Sequence, residues 1–263
     1  MRVGVLGAGG RMGTEVCRAV AGADDMELVA AVDPGTAGTE VGGVAVGASV
    51  DAVLDAAPDV VVDFSVAAVA PGNLARVAEA GIHAVVGTTG FTDGDLDMLA
   101  RSFAGPASGA PNCVLAPNFA IGAVLMARFA ELAAPWFAGA EVIELHHDGK
   151  LDAPSGTALA TVARMAAARD TAGAGPYPPD ATSNAVVAGA RGGEGAGGIR
   201  VHSVRLPGLV AHQEVLLGAT GQTLTIRHDT TDRRAFMDGV LLAVRRVPGM
   251  PGLTAGLEHL LGI

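Results

Sequence analysis

Along its first half the chain alternates short, β-branched apolar runs with longer segments rich in Ala, Leu and Arg, the rhythm of parallel strands joined by crossover helices. Runs at 2–6, 27–33, 59–64, 82–86 and 113–116 are strand candidates, several almost wholly apolar, as strands become when helices cover both faces of their sheet. Helices between them are predicted to start near Arg11, Val69 and Thr92. After Ala120 the texture changes. Residues 121–137 are apolar with helical character, and 141–147 reads as a strand. Pro154 is expected at the first turn of a second long helix running to about Asp170, where its missing N–H does no harm. Two stretches rich in Gly and Pro, 171–181 and 189–198, are expected as loops. Around them 199–206, 209–218 and 222–228 read as strands of an open mixed sheet with antiparallel neighbours, which makes this part α+β. From 232 to 263 the pattern is helical again, broken at 248–252, and periodicity alone does not say where those helices pack.

The length of 263 residues exceeds a typical single domain, so two are expected: residues 1–119 with 235–263, and residues 120–234. Half of the residues are hydrophobic and 17% charged, a composition that folds throughout. A net charge of -10 argues against a nucleic-acid or anionic membrane surface, both of which need a basic face. No apolar run reaches membrane-spanning length, and residues 1–10 lack the charged start and long hydrophobic stretch of a secretory signal, so a cytoplasmic protein is expected. Cys17 and Cys113 offer no disulfide framework or metal spacing and read as reduced thiols, and no metal is expected.

The first candidate chemistry lies where the opening strand ends. Gly7, Ala8, Gly9, Gly10, Arg11 and Met12, followed by Gly13, form a glycine-rich turn into a helix. Such a turn lets backbone approach a pyrophosphate, and the helix start adds free N–H donors and the positive end of a dipole. The spacing is GxxGxxG rather than GxGxxG, with Met12 where a third glycine usually falls. Context supports it, because Asp33 ends the next strand, where a carboxylate can accept from both ribose hydroxyls. The plainer reading is an ordinary strand-to-helix turn and a surface aspartate. The context favours a Rossmann-type doubly wound parallel sheet binding NADH, NADPH or both, since Asp33 would repel a 2'-phosphate that Arg11 would attract. Gly87, Thr88 and Thr89 follow another strand, and Ala116, Pro117, Asn118 and Phe119 follow the last, at the sheet edge where ligands bind. Taken alone, each is an ordinary turn.

The densest chemistry lies between Glu144 and Thr157. His146 and His147 are followed by Lys150 and then by Pro154, Ser155, Gly156 and Thr157 at a helix start, which brings proton donors and an anion cradle into one loop. Lys150 is the single lysine among 17 basic residues, and an ammonium can surrender a proton where a guanidinium cannot. A solvated loop lysine is the bland alternative. Successive residues of a strand point to opposite faces, so only a bend at the strand end brings both histidines to one pocket. Ser155 can also simply cap its helix, a role compatible with ligand binding.

Glu144 to Ala158 strongly resembles the signature of the 4-hydroxy-tetrahydrodipicolinate (dihydrodipicolinate) reductase family. The turns at 7–13, 87–90 and 116–119 and the segment 208–214 occur in that family's order, so the resemblance spans essentially the whole chain. It implies hydride transfer from NADH or NADPH to a small cyclic dicarboxylate with loss of water, on the route to diaminopimelate and lysine. It further implies acid chemistry at His146 and Lys150, and substrate binding by His147, Ser155, Gly156 and Thr157. Cofactor contacts are implied at Gly7 to Met12, Asp33, Gly87 to Thr89 and Ala116 to Phe119. The second domain would bind substrate and build a homotetramer, and the domains would close on ligand. The chain carries Gly9 where some relatives place a basic residue, a departure that counts against strong use of NADPH. Another two-domain dehydrogenase would explain the first half equally but leaves the loop at 146–157 as coincidence. A non-catalytic nicotinamide sensor leaves the acids without a use.

Overall fold

The computed structural model describes residues 1–263. In chain order the elements are β1 (Arg2–Leu6), α1 (Arg11–Ala21), β2 (Glu27–Val32), β3 (Glu40–Val41), β4 (Val44–Gly47), α2 (Asp51–Ala56), β5 (Val60–Asp63), α3 (Ala70–Glu79), β6 (His83–Val86), α4 (Asp93–Ser102) and β7 (Cys113–Leu115). Then come α5 (Ile121–Ala133), β8 (Gly139–His146), α6 (Gly156–Thr171), β9 (Gly193–Glu194), β10 (Arg200–Arg205), β11 (Ala211–Ala219) and β12 (Gln222–Thr230). The chain ends with α7 (Met237–Arg246), β13 (Leu253–Ala255) and α8 (Glu258–Leu261). It divides into two compact units, Met1–Ile121 with Arg233–Ile263, and Gly122–Asp232.

The first unit carries an eight-stranded sheet in the order β13-β7-β6-β5-β1-β2-β4-β3, parallel except for the β3–β4 hairpin. Its central strands are buried because they are apolar without interruption: all four residues of β5 and the last four of β1 are inaccessible. Val61, Val86 and Leu6 pack with Leu74 and Val77 of α3, Leu99 of α4 and Phe103 in one core. Burial of each such side chain stabilises by about 1.5–3 kcal/mol before the entropic cost of ordering is counted. The chain runs from β1 outward to β2 and returns to β5 on the other side of β1. That reversal opens a crevice at the carboxyl ends of β1 and β5, the place where open α/β sheets bind ligands.

The second unit carries a five-stranded sheet, β12-β11-β8-β10-β9. β8 and β11 alternate buried and part-buried residues, so a single face packs against α6 through Val142, Val215, Leu217, Val162 and Met165. The expected mixed sheet is present: β11 runs antiparallel to β8 and β12, and β10 runs parallel to β8, its Arg205 opposite His146. A long connection through α6 separates the two strands, which permits a parallel pairing that a hairpin forbids.

Three local expectations are corrected and one hairpin is added. Pro154 precedes the helix: Ser155 is the N-cap and α6 starts at Gly156, because the serine hydroxyl accepts from the Ala158 N–H at 3.2 Å. The stretch 189–198 holds the two-residue strand β9, which pairs with β10. The helical-looking end contains β13, three residues that add a parallel edge to β7. The hairpin of β3 and β4, not anticipated from the pattern, turns on Gly42 and Gly43, whose positive φ values suit glycine.

Candidate active site

The residues expected to hold a dinucleotide gather at the carboxyl edge of the first unit's sheet. The glycine turn resolves in the register Gly7, Gly10, Gly13. Gly7 has φ +77°, Gly10 is the N-cap of α1, and Gly13 lies buried against Gly7. A Cβ on Gly13 would fall 1.9 Å from the Gly7 carbonyl oxygen, so Gly13 takes the close helix-to-strand packing usually assigned to the glycine one place earlier. Met12 at that place is therefore no obstacle. The α1 N-terminus has no side-chain cap and no acidic residue in its first turn, which leaves its N–H groups and dipole uncompensated. Ala8 is buried, its carbonyl accepting from the Thr14 hydroxyl at 2.9 Å, while Gly9, Gly10 and Arg11 are exposed.

Asp33, just past β2, is held by the Gly9 N–H at 3.1 Å and the Gly35 N–H at 2.8 Å, one on each oxygen. Each oxygen keeps a lone pair that can accept a ribose hydroxyl. The neighbouring Thr36 hydroxyl oxygen is buried and has no partner in the protein. An anion-tolerant helix start, a presented carboxylate and an orphan hydroxyl fit a dinucleotide. A Cβ at Gly9 would meet Thr36 Oγ1 at 2.3 Å and the Asp33 carboxyl carbon at 2.9 Å, so this carboxylate sits where a side chain at position 9 would begin.

Two further turns complete the edge. The Thr88 hydroxyl donates to Asp63 Oδ1 at 2.5 Å, and the Ser65 N–H and hydroxyl donate to the same carboxylate. Asp63 is fully buried at the end of β5, and burial pushes its pKa up despite those donors. Gly87 lies against the Phe64 ring, which packs on the Phe119 ring with centroids 5.6 Å apart. Ala116 and Phe119 are buried, Asn118 Oδ1 accepts from the Ala120 N–H at 2.8 Å, and Pro117 and Thr89 are exposed. The sequence places Asp63 and Phe64 in a strand, but Thr88 and Phe119, which meet them, follow the separate strands β6 and β7, and no local pattern records those contacts.

In the second unit, β8 ends at His146 and a turn closed by the Lys150 N–H donating to the His147 carbonyl at 3.2 Å follows. His146 and His147 are thus no longer successive residues of one strand: the first ends it and the second opens the turn. Lys150 Nζ donates to both oxygens of Asp152, at 2.7 and 2.8 Å, and Asp152 is exposed. Ser155, Gly156 and Thr157 open α6, whose first turn carries no acidic residue, so the structure brings an anion-attracting helix start and both proposed acids into one segment.

Beneath this segment lies a polar cluster that sequence reasoning did not assign. Glu144, two residues before His146 on the same strand face, is fully buried. Its carboxylate accepts from Arg205 Nη1 at 2.9 Å and Nη2 at 2.8 Å, from the Ser155 N–H at 3.2 Å, and bonds His146 Nδ1 at 2.5 Å. Burial alone would raise the Glu144 pKa, but donors from Arg205, Ser203 and His146 outweigh it and hold the group below the ordinary carboxylate range. Burial is also the main influence on His146 and lowers its pKa, with Glu144 pulling the other way. The i, i+2 spacing of Glu144 and His146 was a usable signal. Arg205 carried none, since only the β8–β10 pairing brings it there.

A doubly wound dinucleotide-binding unit, joined in one chain to an α+β unit that carries His146, Lys150 and an anion-attracting helix start in one segment, defines a nicotinamide-dependent oxidoreductase. Models of the N-terminal and C-terminal parts of dihydrodipicolinate reductase match residues 1–119 and 122–261, and the chain belongs to that family. It is 53% identical over 263 residues to the 4-hydroxy-tetrahydrodipicolinate reductase of Nocardia farcinica, covering 100% of this chain and 99% of that one. It is 51% identical to the enzyme of that name from Cutibacterium acnes, again over 100% of this chain and 99% of the relative. Among solved structures, a dipicolinate-bound dihydrodipicolinate reductase from Paenisporosarcina sp. TG-14 superposes with a TM-score of 0.83 at 38% identity, covering 98% of each chain.

Proposed function

We propose that this chain reduces 4-hydroxy-tetrahydrodipicolinate to tetrahydrodipicolinate, using NADH or NADPH and releasing water, in diaminopimelate and lysine biosynthesis. The observation that carries this reading is the His146–Lys150 turn running into the Ser155–Gly156–Thr157 helix start over a buried Glu144, in a chain matched end to end by the family. The Paenisporosarcina relative carries dipicolinate, a planar dicarboxylate of the kind the α6 N-terminus is suited to hold.

A bound nicotinamide would supply the hydride. Gly7 to Met12 would hold its pyrophosphate, Asp33 would accept from the adenine ribose, and Gly87 to Thr89 with Ala116 to Phe119 would hold the rest of the dinucleotide. His147, Ser155, Gly156 and Thr157 bind the substrate carboxylates through donors. Hydride addition to an unsaturated ring carbon leaves electron density on the neighbouring atoms, and a proton from His146 or Lys150 quenches it. The net reaction consumes one hydride and one proton and releases the ring hydroxyl as water. Substrate carboxylate competes with Asp152 for Lys150, because both are anionic partners for one ammonium. The protein acts in the cytoplasm as a homotetramer assembled on the second unit's sheet. In support, no helix is long and apolar enough to cross a membrane, and β12 presents a mostly exposed edge.

The test is spectrophotometric: oxidation of NADH and NADPH is followed by the loss of the reduced nicotinamide absorbance, with freshly prepared 4-hydroxy-tetrahydrodipicolinate as substrate. Turnover with either nucleotide is expected, and absence of turnover with both would reject the assignment.

A further inference from the structure

Glu144 is fully buried, yet its carboxylate joins the His146 ring to the start of α6 and to Arg205 on β10. One carboxylate bonds the His146 ring at Nδ1, the Ser155 N–H that starts α6, and both terminal nitrogens of Arg205. Arg205 Nη2 in turn donates to the Asp152 carbonyl at 2.7 Å, which ties down the turn that carries Lys150. We propose that Glu144 is a positioning residue for the reaction: its buried carboxylate fixes the ring orientation and tautomer of His146 and keeps the Ser155–Thr157 cradle in register with that ring. Arg205 holds the carboxylate in place and closes the loop.

The tautomer follows from donor and acceptor counts. An ionised carboxylate can only accept, so the proton between it and His146 belongs to Nδ1. Nε2 is then the nitrogen that exchanges a proton with substrate, and the ring cannot flip without breaking a charge-assisted bond. A purely structural role explains less. A buried ion pair is a poor source of net stability compared with apolar packing, and neither burial nor the Arg205 fork requires a bond to His146. The charged groups around the ring are Glu144 on its own strand, Arg205 on β10 and Lys150 in the following turn. The β11 residue opposite is Ala211, and the first turn of α6 adds no acid.

The inference rests on the reductase reading of His146, and its test separates the two. In ¹⁵N-histidine NMR of the ligand-free wild-type protein, with the His146 signal assigned by its loss in His146→Gln, the neutral ring is expected as the Nδ1–H tautomer. An Nε2–H tautomer overturns the proposal, and this reading needs neither substrate nor a Glu144 variant. In Glu144→Gln the amide has one oxygen that can still accept and an NH2 group that can donate to Nδ1, and the charge is gone, so Nδ1–H should cease to be the single neutral form. Turnover should fall about 10²-fold, the low end of what a positioned acid contributes. The pH limb belonging to His146 should move to lower pH, because the carboxylate that favours the imidazolium is gone, while the KM for the nucleotide stays unchanged. A variant with lower turnover but the wild-type tautomer and limb would make Glu144 merely structural and overturn the proposal. If Glu144→Gln does not fold, the wild-type spectrum alone decides. A wild-type protein that shows the Nδ1–H tautomer yet reduces no substrate would sink the reductase reading and leave the Glu144–His146 bond standing.

Discussion

At the scale of single residues, two side chains carry the sharpest expectations. Lys150 is the chain's single lysine and is bonded to both oxygens of Asp152. Lys150→Ala should reduce kcat by about 10²- to 10⁴-fold, the range for a positioned proton donor, with NADH binding intact in a fluorescence titration. Near-normal turnover would remove its role. Asp33 presents a carboxylate whose remaining lone pairs suit an unphosphorylated ribose. Losing charged hydrogen bonds of about 1.5–3 kcal/mol, Asp33→Ala should weaken NADH by roughly 10- to 100-fold in Kd. NADPH should suffer less, because its 2'-phosphate gains from the loss of a like charge, and equal weakening of both nucleotides in calorimetry would contradict the assignment. Both residues were legible in the sequence, Asp33 by its place after a strand and Lys150 by its rarity and neighbours. Glu144 was legible as a same-face neighbour of His146, but its bonds to Arg205 and Ser155 were not, because those partners lie on β10 and at the start of α6.

At the scale of elements, the turn between β1 and α1 shows how packing overrides intrinsic preference. Alanine is favoured over glycine in a helix interior by roughly 1 kcal/mol, so Gly13→Ala would stabilise α1 if the helix stood alone. Here the added Cβ meets the backbone oxygen of Gly7 at 1.9 Å, and no flexible side chain can yield. Overpacking of this kind costs about 1–3 kcal/mol, which exceeds the gain. Gly13→Ala should therefore lower the thermal midpoint and also weaken NADH, since the Gly7 carbonyl must move. A raised midpoint with unchanged affinity would show that the turn tolerates the methyl. The boundary of α6 teaches the same lesson: Pro154 looked like a first-turn residue, but Ser155 caps the helix, and a hydroxyl bonded to the Ala158 N–H defines its start. Short strands escape pattern reading altogether. β9 and β13, of two and three residues, are too brief for a period, and each exists because a neighbouring strand offers its edge.

At the scale of the whole molecule, acid stability is set in part by surface pairs that join distant parts of the chain. Asp25 binds Arg245 of α7, 220 residues away, and its pKa falls from 3.8 to about 2, chiefly through that hydrogen bond. A depressed carboxylate contributes stability that is complete above its unfolded pKa and disappears as pH falls through the folded one. The contribution of this pair is thus present above about pH 4 and fades toward pH 2. In urea unfolding, Arg245→Ala should be less stable than wild type at about pH 5, and the difference should shrink as the pH approaches 3 and below. A difference independent of pH would assign the effect to packing of the arginine stem instead. The sequence by itself determined the fold class of both parts, the glycine turn with its aspartate, and the loop that holds the proposed acids, since these are written in local periodicity and in neighbouring residues. Tertiary structure alone decided which glycine packs closest, that Phe64 meets Phe119, that Arg205 reaches Glu144, and where the C-terminal strand adds to the sheet. The physical reason is range: backbone preference and apolar period act over a few residues, whereas a buried carboxylate or an unpaired strand edge is satisfied by whatever group the folded chain brings to it.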